Sequence, residues 1–294
     1  MKVTRSKLKN AGVFALFTLP ALTLIVCFIL IPLLMALFYS LHDWNGISME
    51  FPFIGLQNYI DLFSESAFLA SFRFTFLYMI VTAAGLNIFG FLAALALNKN
   101  LKLSGILRAA YFLPMVICGV SVGYIWNVIV VRLFPHIGRL LGSGLLQKNW
   151  LSMPNTAFAA LIIAAIWQSF GYYMMIYLTG LQGIPQNLLE AASIDGAGSL
   201  GRFFKIVLPL MRPTITVSIF LSIVSGLKSF DLIYALTSGG PYGSTTSIAL
   251  GIYLDAFKRN LLSYASAKAI LFCLIIMLIS FAQVKLMDRK GVEQ

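Results

Sequence analysis

Long apolar runs separated by short polar loops dominate the chain. Six stretches stay apolar long enough to cross a bilayer, at residues 13–40, 72–97, 108–131, 156–181, 210–236 and 264–287. A crossing takes about 20 such residues, because the hydrocarbon layer is about 30 Å thick and an unpaired backbone group is costly inside it. The pattern therefore predicts an all-α polytopic membrane protein with six transmembrane helices. Pro20, Pro32 and Pro114 fall within these runs or near their ends, where kinks are tolerated. Two shorter segments carry their own signal. Between 43 and 63, Leu56, Tyr59, Ile60 and Phe63 recur at helical spacing opposite Gln57, Asn58 and Asp61, which predicts a short helix at the membrane interface. Residues 247–257 are apolar but too short to cross, and predict an external or re-entrant piece packed against protein.

Composition agrees with a lipid environment. The chain is 60% hydrophobic and 11% charged, against about 25% charged in soluble domains, and its mean hydropathy is +0.90. A net charge of +11 invites a nucleic-acid reading, but the cations lie between apolar runs rather than on one patch. Their distribution sets a topology. Thirteen Lys and Arg residues fall on one side, in the clusters Lys2 to Lys9, Lys99 to Arg108, Arg202 to Arg212 and Lys285 to Lys290. Six fall on the other: Arg73, Arg132, Arg139, Lys148, Lys258 and Arg259. By the positive-inside rule both termini are cytoplasmic, with tails at 1–12 and 288–294 around a single membrane domain at 13–287. The first run follows a basic tail, yet is too long for a signal-peptide core and lacks a cleavage pattern, so it reads as a retained anchor. Cys27, Cys118 and Cys273 sit in apolar runs without CxxC spacing and read as buried hydrophobes. His42 and His136 are isolated in loops, which leaves no metal cluster. No internal repeat is visible.

The longest interior loop, 183–209, carries the most information. Pro185 suits a first helical position, a helix follows from Leu188 to Asp195, and Gly196 suits the left-handed residue that ends it. Leu188, Leu189 and Ala192 form an inward apolar face, and Glu190 points elsewhere, toward a cationic partner. An ordinary amphipathic connector fits the same pattern. Gly196, Gly198 and Gly201 also satisfy G-x-G-x-x-G, but a helix rather than a strand precedes them, and no acid follows until Asp231. A phosphate loop needs Lys then Ser or Thr, where this chain has Arg202 and Phe203. These glycines are turn chemistry, so nucleotide hydrolysis would need another polypeptide.

Glu190, Ala191 and Ala192, then Gly196 after three residues, then Ile206, Leu208 and Pro209, match the EAA-x3-G-x9-I-x-LP signature. With it the chain resembles the binding-protein-dependent ABC import permeases. FIGLQNYIDLF, RAAYFLPMVICGVSVGYIWN, FDLIYALTSGGP and YASAKAILF extend the likeness over nearly the whole chain, toward the maltose-type carbohydrate permeases. FDLIYALTSGGP resembles the first of the two paralogous permeases of such importers. The extra N-terminal spans and large external insert of the maltose permease are missing, so a smaller oligosaccharide or glycerol-phosphate type is nearer. The resemblance implies an ABC type I importer permease fold in a bacterial or archaeal cytoplasmic membrane. It implies a second homologous permease subunit, two ATP-binding subunits holding ATP and Mg, an extracytoplasmic solute-binding protein, and no cofactor in this chain. It further implies that the loop docks on an ATPase subunit, with Glu190, Ala191, Ala192, Asp195, Gly196, Ile206, Leu208 and Pro209 forming the coupling element.

Within the spans, Lys228 and Asp231 are costly, and their three-residue spacing puts them on one helix face. They either neutralise each other or border a wet cavity, hydrogen-bonding sugar hydroxyls together with Tyr234, Gln168, Tyr172 and Asn127. A self-contained ion-coupled carrier would use the same pair as an ion site. An intramembrane enzyme would need paired His, Asp or Ser groups that the spans lack.

Overall fold

A computed structural model describes residues 14, 16–99 and 103–288. The predicted N-terminal tail at 1–12, all but the first residue of the predicted C-terminal tail at 288–294, and Lys102 lie outside them. Among the described residues the chain is helical throughout, with one isolated β-bridge between His42 and Phe53. In order, the helices are α1 (Leu16–Ser40), α2 (Gln57–Ser64), α3 (Ser66–Leu97), α4 (Ser104–Val116), α5 (Gly119–Leu141), α6 (Gly144–Gln147), α7 (Pro154–Gln182), α8 (Gln186–Ile194), α9 (Ser199–Leu210), α10 (Arg212–Leu227), α11 (Asp231–Thr237), α12 (Ile248–Phe257) and α13 (Leu262–Asp288). Five are long and apolar enough to cross a membrane: α1, α3, α5, α7 and α13. The pair α9–α10, bent by 65°, makes a sixth.

Two expected spans are not continuous. The third is split between α4 and α5 at Ile117 and Cys118, and α5 then runs on to Leu141, so His136 sits on a helix rather than in a loop. The fifth is interrupted between Leu227 and Asp231. Cys27 and Cys118 are exposed rather than buried, since apolar surface facing lipid needs no protein cover.

The residues from Ser66 to Gly251 form one compact unit with the end of α13. Its centre is α3 against α7, flanked by α4, α10 and α11. Gly171 lets α7 touch the α4 backbone, since a Cβ there would lie 1.8 Å from the Tyr111 carbonyl oxygen. In the apolar interior one side chain ties three helices. Asn87 of α3 accepts from Tyr177 Oη at 2.6 Å and Ser218 Oγ at 2.8 Å, and donates to Ser222 Oγ at 2.8 Å and the Ala83 carbonyl at 2.7 Å. Every hydrogen-bonding position of that amide is thereby used.

The residues up to Glu65, with Ile252–Cys273, form the other unit. In α2, Asn58 is buried and donates to the Ser40 and His42 carbonyls at 2.8 and 3.0 Å, while Leu56, Ile60 and Phe63 stay exposed. That is the arrangement expected of an interface helix whose apolar side meets lipid. Asp255 and Lys268, 1% and 4% exposed, form an ion pair between α12 and α13. Arg259 adds a second contact to Asp255 at 2.9 Å, with its own side chain 57% exposed. Tyr264 donates to Glu65, and its ring lies 5.0 Å from Lys268 Nζ.

Candidate functional site

Both interrupted spans open onto the same place. Pro114, in the last turn of α4, lacks an N–H and crowds the carbonyl four residues back. Beyond it, Ile117 and Cys118 turn extended, with ψ of 133° and 137°. The Ile117 carbonyl accepts from Gln168 Nε2 at 3.1 Å, which satisfies one group freed by the break. At the second break Phe230 leaves helical geometry at φ −130°. There the Ser229 carbonyl accepts from Ser247 Oγ at 3.0 Å, and Ser229 Oγ donates to Tyr78 Oη at 3.3 Å. Irregular backbone at membrane depth survives only where protein covers it or where it lines a cavity. Here it lines a cleft of about 380 Å³, within the usual small-ligand range of about 300–1,000 Å³.

The cleft has a polar lining unusual for an apolar chain. Ile117 and Gly119 come from the first break, Ser225 and the run from Lys228 to Leu232 from the second, Tyr78 and Thr82 from α3, and Gln168 and Ser169 from α7. Of the six residues singled out in sequence, Lys228, Asp231 and Gln168 line it. Asn127, Tyr172 and Tyr234 are not among the lining residues. Asn127 instead donates to the Leu236 carbonyl at 3.0 Å, Tyr172 meets Tyr173 edge-on at 5.4 Å, and Tyr234 stacks on Phe230 at 5.6 Å.

Lys228 and Asp231 do not share a helix face. That spacing argument requires a continuous helix, whereas Lys228 ends α10 and Asp231 begins α11. No ion pair joins them, and both are exposed in the cleft. The serines and Tyr78 were missed in sequence, yet a signal existed. Ser218, Ser222, Ser225 and Ser229 recur at steps of four, three and four, one face of a helix in an otherwise apolar run.

The interior loop is a helix, a tight turn and a second helix. Pro185 is the residue before the first turn of α8 rather than within it. Gly196 takes φ +80°, a left-handed conformation that costs other residues about 1–2 kcal/mol. Around it the Asp195 N–H donates to the Ala191 carbonyl and the Ala197 N–H to the Ala192 carbonyl, both at 2.9 Å. Arg202 donates to Ser193 Oγ, tying α9 to α8. Glu190 and Ala191 are exposed, and Ala192 is half-buried. Leu188 is exposed rather than inward, joined on the surface by Ile194 at 86% and Leu200 at 73%. Ile206, Leu208 and Pro209 are half-buried in α9, just before the 65° bend into α10 at the buried Met211.

Comparison with known proteins follows the same lines. The profile of binding-protein-dependent transport system inner membrane components matches residues 86–291. A probable starch degradation products transport system permease protein of Thermoanaerobacterium thermosulfurigenes is 37% identical, over 97% of each chain. A multiple sugar-binding transport system permease protein of Streptococcus mutans is 36% identical over 92% of this chain and 93% of its own. A trehalose/maltose transport system permease protein of Thermococcus litoralis is 36% identical over 96% and 95%. Among solved structures, a bacterial ABC transporter involved in alginate import superposes with a TM-score of 0.84 over 97% of this chain and 98% of its own. At 20% identity that likeness concerns the fold.

Proposed function

This chain belongs to the binding-protein-dependent transport system inner membrane components and is a sugar ABC importer permease subunit, and from that premise we propose how it carries substrate and receives energy. The cleft formed where two spans unwind is the sugar-binding part of the translocation path. Hydroxyls of Tyr78, Thr82, Ser169, Ser225 and Ser229, the Gln168 amide, and the ends of Lys228 and Asp231 offer donors and acceptors in the mixture that carbohydrate hydroxyls need. One cation and one anion leave the lining without net charge. The single observation that carries this reading is that both helix breaks face one polar cleft, the arrangement in which discontinuous spans hold substrate near mid-membrane.

Energy enters through the interior loop. The exposed α8, with Glu190 in no salt bridge among the described residues, Leu188 and Ile194 uncovered, and Leu200 exposed at the start of α9, has the mixed charged and apolar surface of a partner-binding element. In this reading the loop and both termini face the cytoplasm, and one of two ATPase subunits holding ATP and Mg grips α8 there. A second permease subunit completes the path, and an extracytoplasmic binding protein delivers the sugar. ATP binding then favours one of two conformations, and the bend at Met211 carries the motion into α10. Uptake by inside-loaded vesicles tests the scheme. Labelled oligosaccharide should accumulate only with ATP and all partner subunits present. Accumulation by this chain alone under an ion gradient would replace the scheme with an ion-coupled carrier.

A further inference from the structure

The end of α5 carries a feature to which the scheme proposed above gives no role. At about 100° per residue, Arg132, His136 and Arg139 fall on one stripe of the helix, and Leu133, Ile137, Leu140 and Leu141 fall beside it. The third side is packed: a Cβ on Gly138 would lie 2.7 Å from the Gln147 backbone nitrogen, and Phe134 meets Trp150 edge-on at 5.1 Å. The two outer stripes are open. Arg132, His136 and Arg139 are exposed, as is Lys148 just beyond α6, and Leu140 and Leu141 are 74% and 72% exposed. No carboxylate occurs in the sequence between Glu65 and Glu190, and among the described residues none of these cations forms an ion pair. Arg132, Arg139 and Lys148 are also half of the six cations on the cation-poor side of the membrane, gathered within one short segment against the usual bias.

We propose that this helix end is a binding site for anionic phospholipid headgroups: Leu133, Leu140 and Leu141 enter the acyl boundary while Arg132, Arg139 and Lys148 bind the headgroup phosphates. An interfacial helix with cations beside an apolar stripe has this composition, and the charge complementarity selects an anionic over a zwitterionic lipid. Arg132 and Arg139 stand seven residues apart, about 10 Å along the axis, so they reach separate phosphates rather than a single one.

The test uses the full chain with its co-purifying subunits, reconstituted in nanodiscs of equimolar phosphatidylglycerol and phosphatidylethanolamine. Retained lipid is counted by native mass spectrometry after mild detergent extraction. The parent protein should retain phosphatidylglycerol selectively. Replacing one cation by Gln should weaken that retention roughly five-fold, and R132Q/R139Q/K148Q about a hundredfold, while R132K/R139K keeps most of it. Equal retention of both lipids by the parent, or no change in the triple variant, overturns the proposal. So does displacement of the lipid by millimolar inorganic phosphate, which would mark a soluble-anion site. Cross-links from Arg139→Cys to a protein partner rather than to lipid would overturn it as well.

Discussion

Asp255 offers the sharpest test of how the unit containing α12 and α13 is held. Its carboxylate is the partner of Lys268, and both are almost fully buried. Asp255→Asn keeps the shape and removes the charge. Lys268 then remains as a buried cation facing an amide, with the Tyr264 ring 5.0 Å away. Breaking one half of such a pair costs about 3–5 kcal/mol, chiefly through the stranded charge. The Arg259 contact adds little, because that side chain is 57% exposed, and exposed i,i+4 pairs are worth about 0.3–0.5 kcal/mol. The melting temperature of the purified protein in detergent, read by tryptophan fluorescence, should therefore fall by on the order of 10 °C for Asp255→Asn. Arg259→Gln should shift it by about 1–2 °C. The decisive arm is D255N/K268M, which removes both charges and should recover most of the loss. An Asp255→Asn protein that melts with the parent, or a double variant no better than the single one, would refute the reasoning.

Three further outcomes are expected. Glu190→Lys should reduce ATPase subunits co-purified with the chain and lower ATP-driven uptake at least several-fold, with membrane insertion unchanged by protease mapping; undiminished uptake would remove Glu190 from the coupling contact. Asp231→Asn should change uptake rate or sugar preference without altering melting, because the side chain lies exposed in the cleft and in no ion pair; an unaltered transport profile would count against its role. Gly171→Ala should destabilise the α4–α7 contact by about 1–3 kcal/mol or more, since its methyl would overlap the Tyr111 carbonyl, and an equally stable variant would mean that α4 moves aside freely.

The lipid-crossing character was legible because hydropathy averages over some 20 residues and tolerates local error. The interruptions at Ile117 and Lys228 were not, because each falls in a run that stays apolar on both sides. Pro114 marked the first break, but a proline is also tolerated inside a continuous membrane helix. Losing the second break also misplaced Lys228 and Asp231 on a common face. The loop at 183–209 was readable in detail, since helix, turn glycine and second helix are all local signals. Asn87 and the Asp255–Lys268 pair stayed hidden for the opposite reason. Their partners lie on other helices, up to 135 residues away in the case of Ser222, and no spacing rule reaches across a fold.

The fully occupied Asn87 amide limits how the transporter can change shape. Sliding α3, α7 or α10 by a single turn would sever bonds to Tyr177, Ser218 or Ser222 and leave polar groups unpaired among apolar helices. Those bonds favour the three helices moving together as one lever in the proposed transport cycle. In the path proposed above, rotation would be absorbed where the ladder is already open, at Ile117–Cys118 and Lys228–Phe230, so the joints of the machine and the walls of its cargo hold would be the same short stretches of backbone.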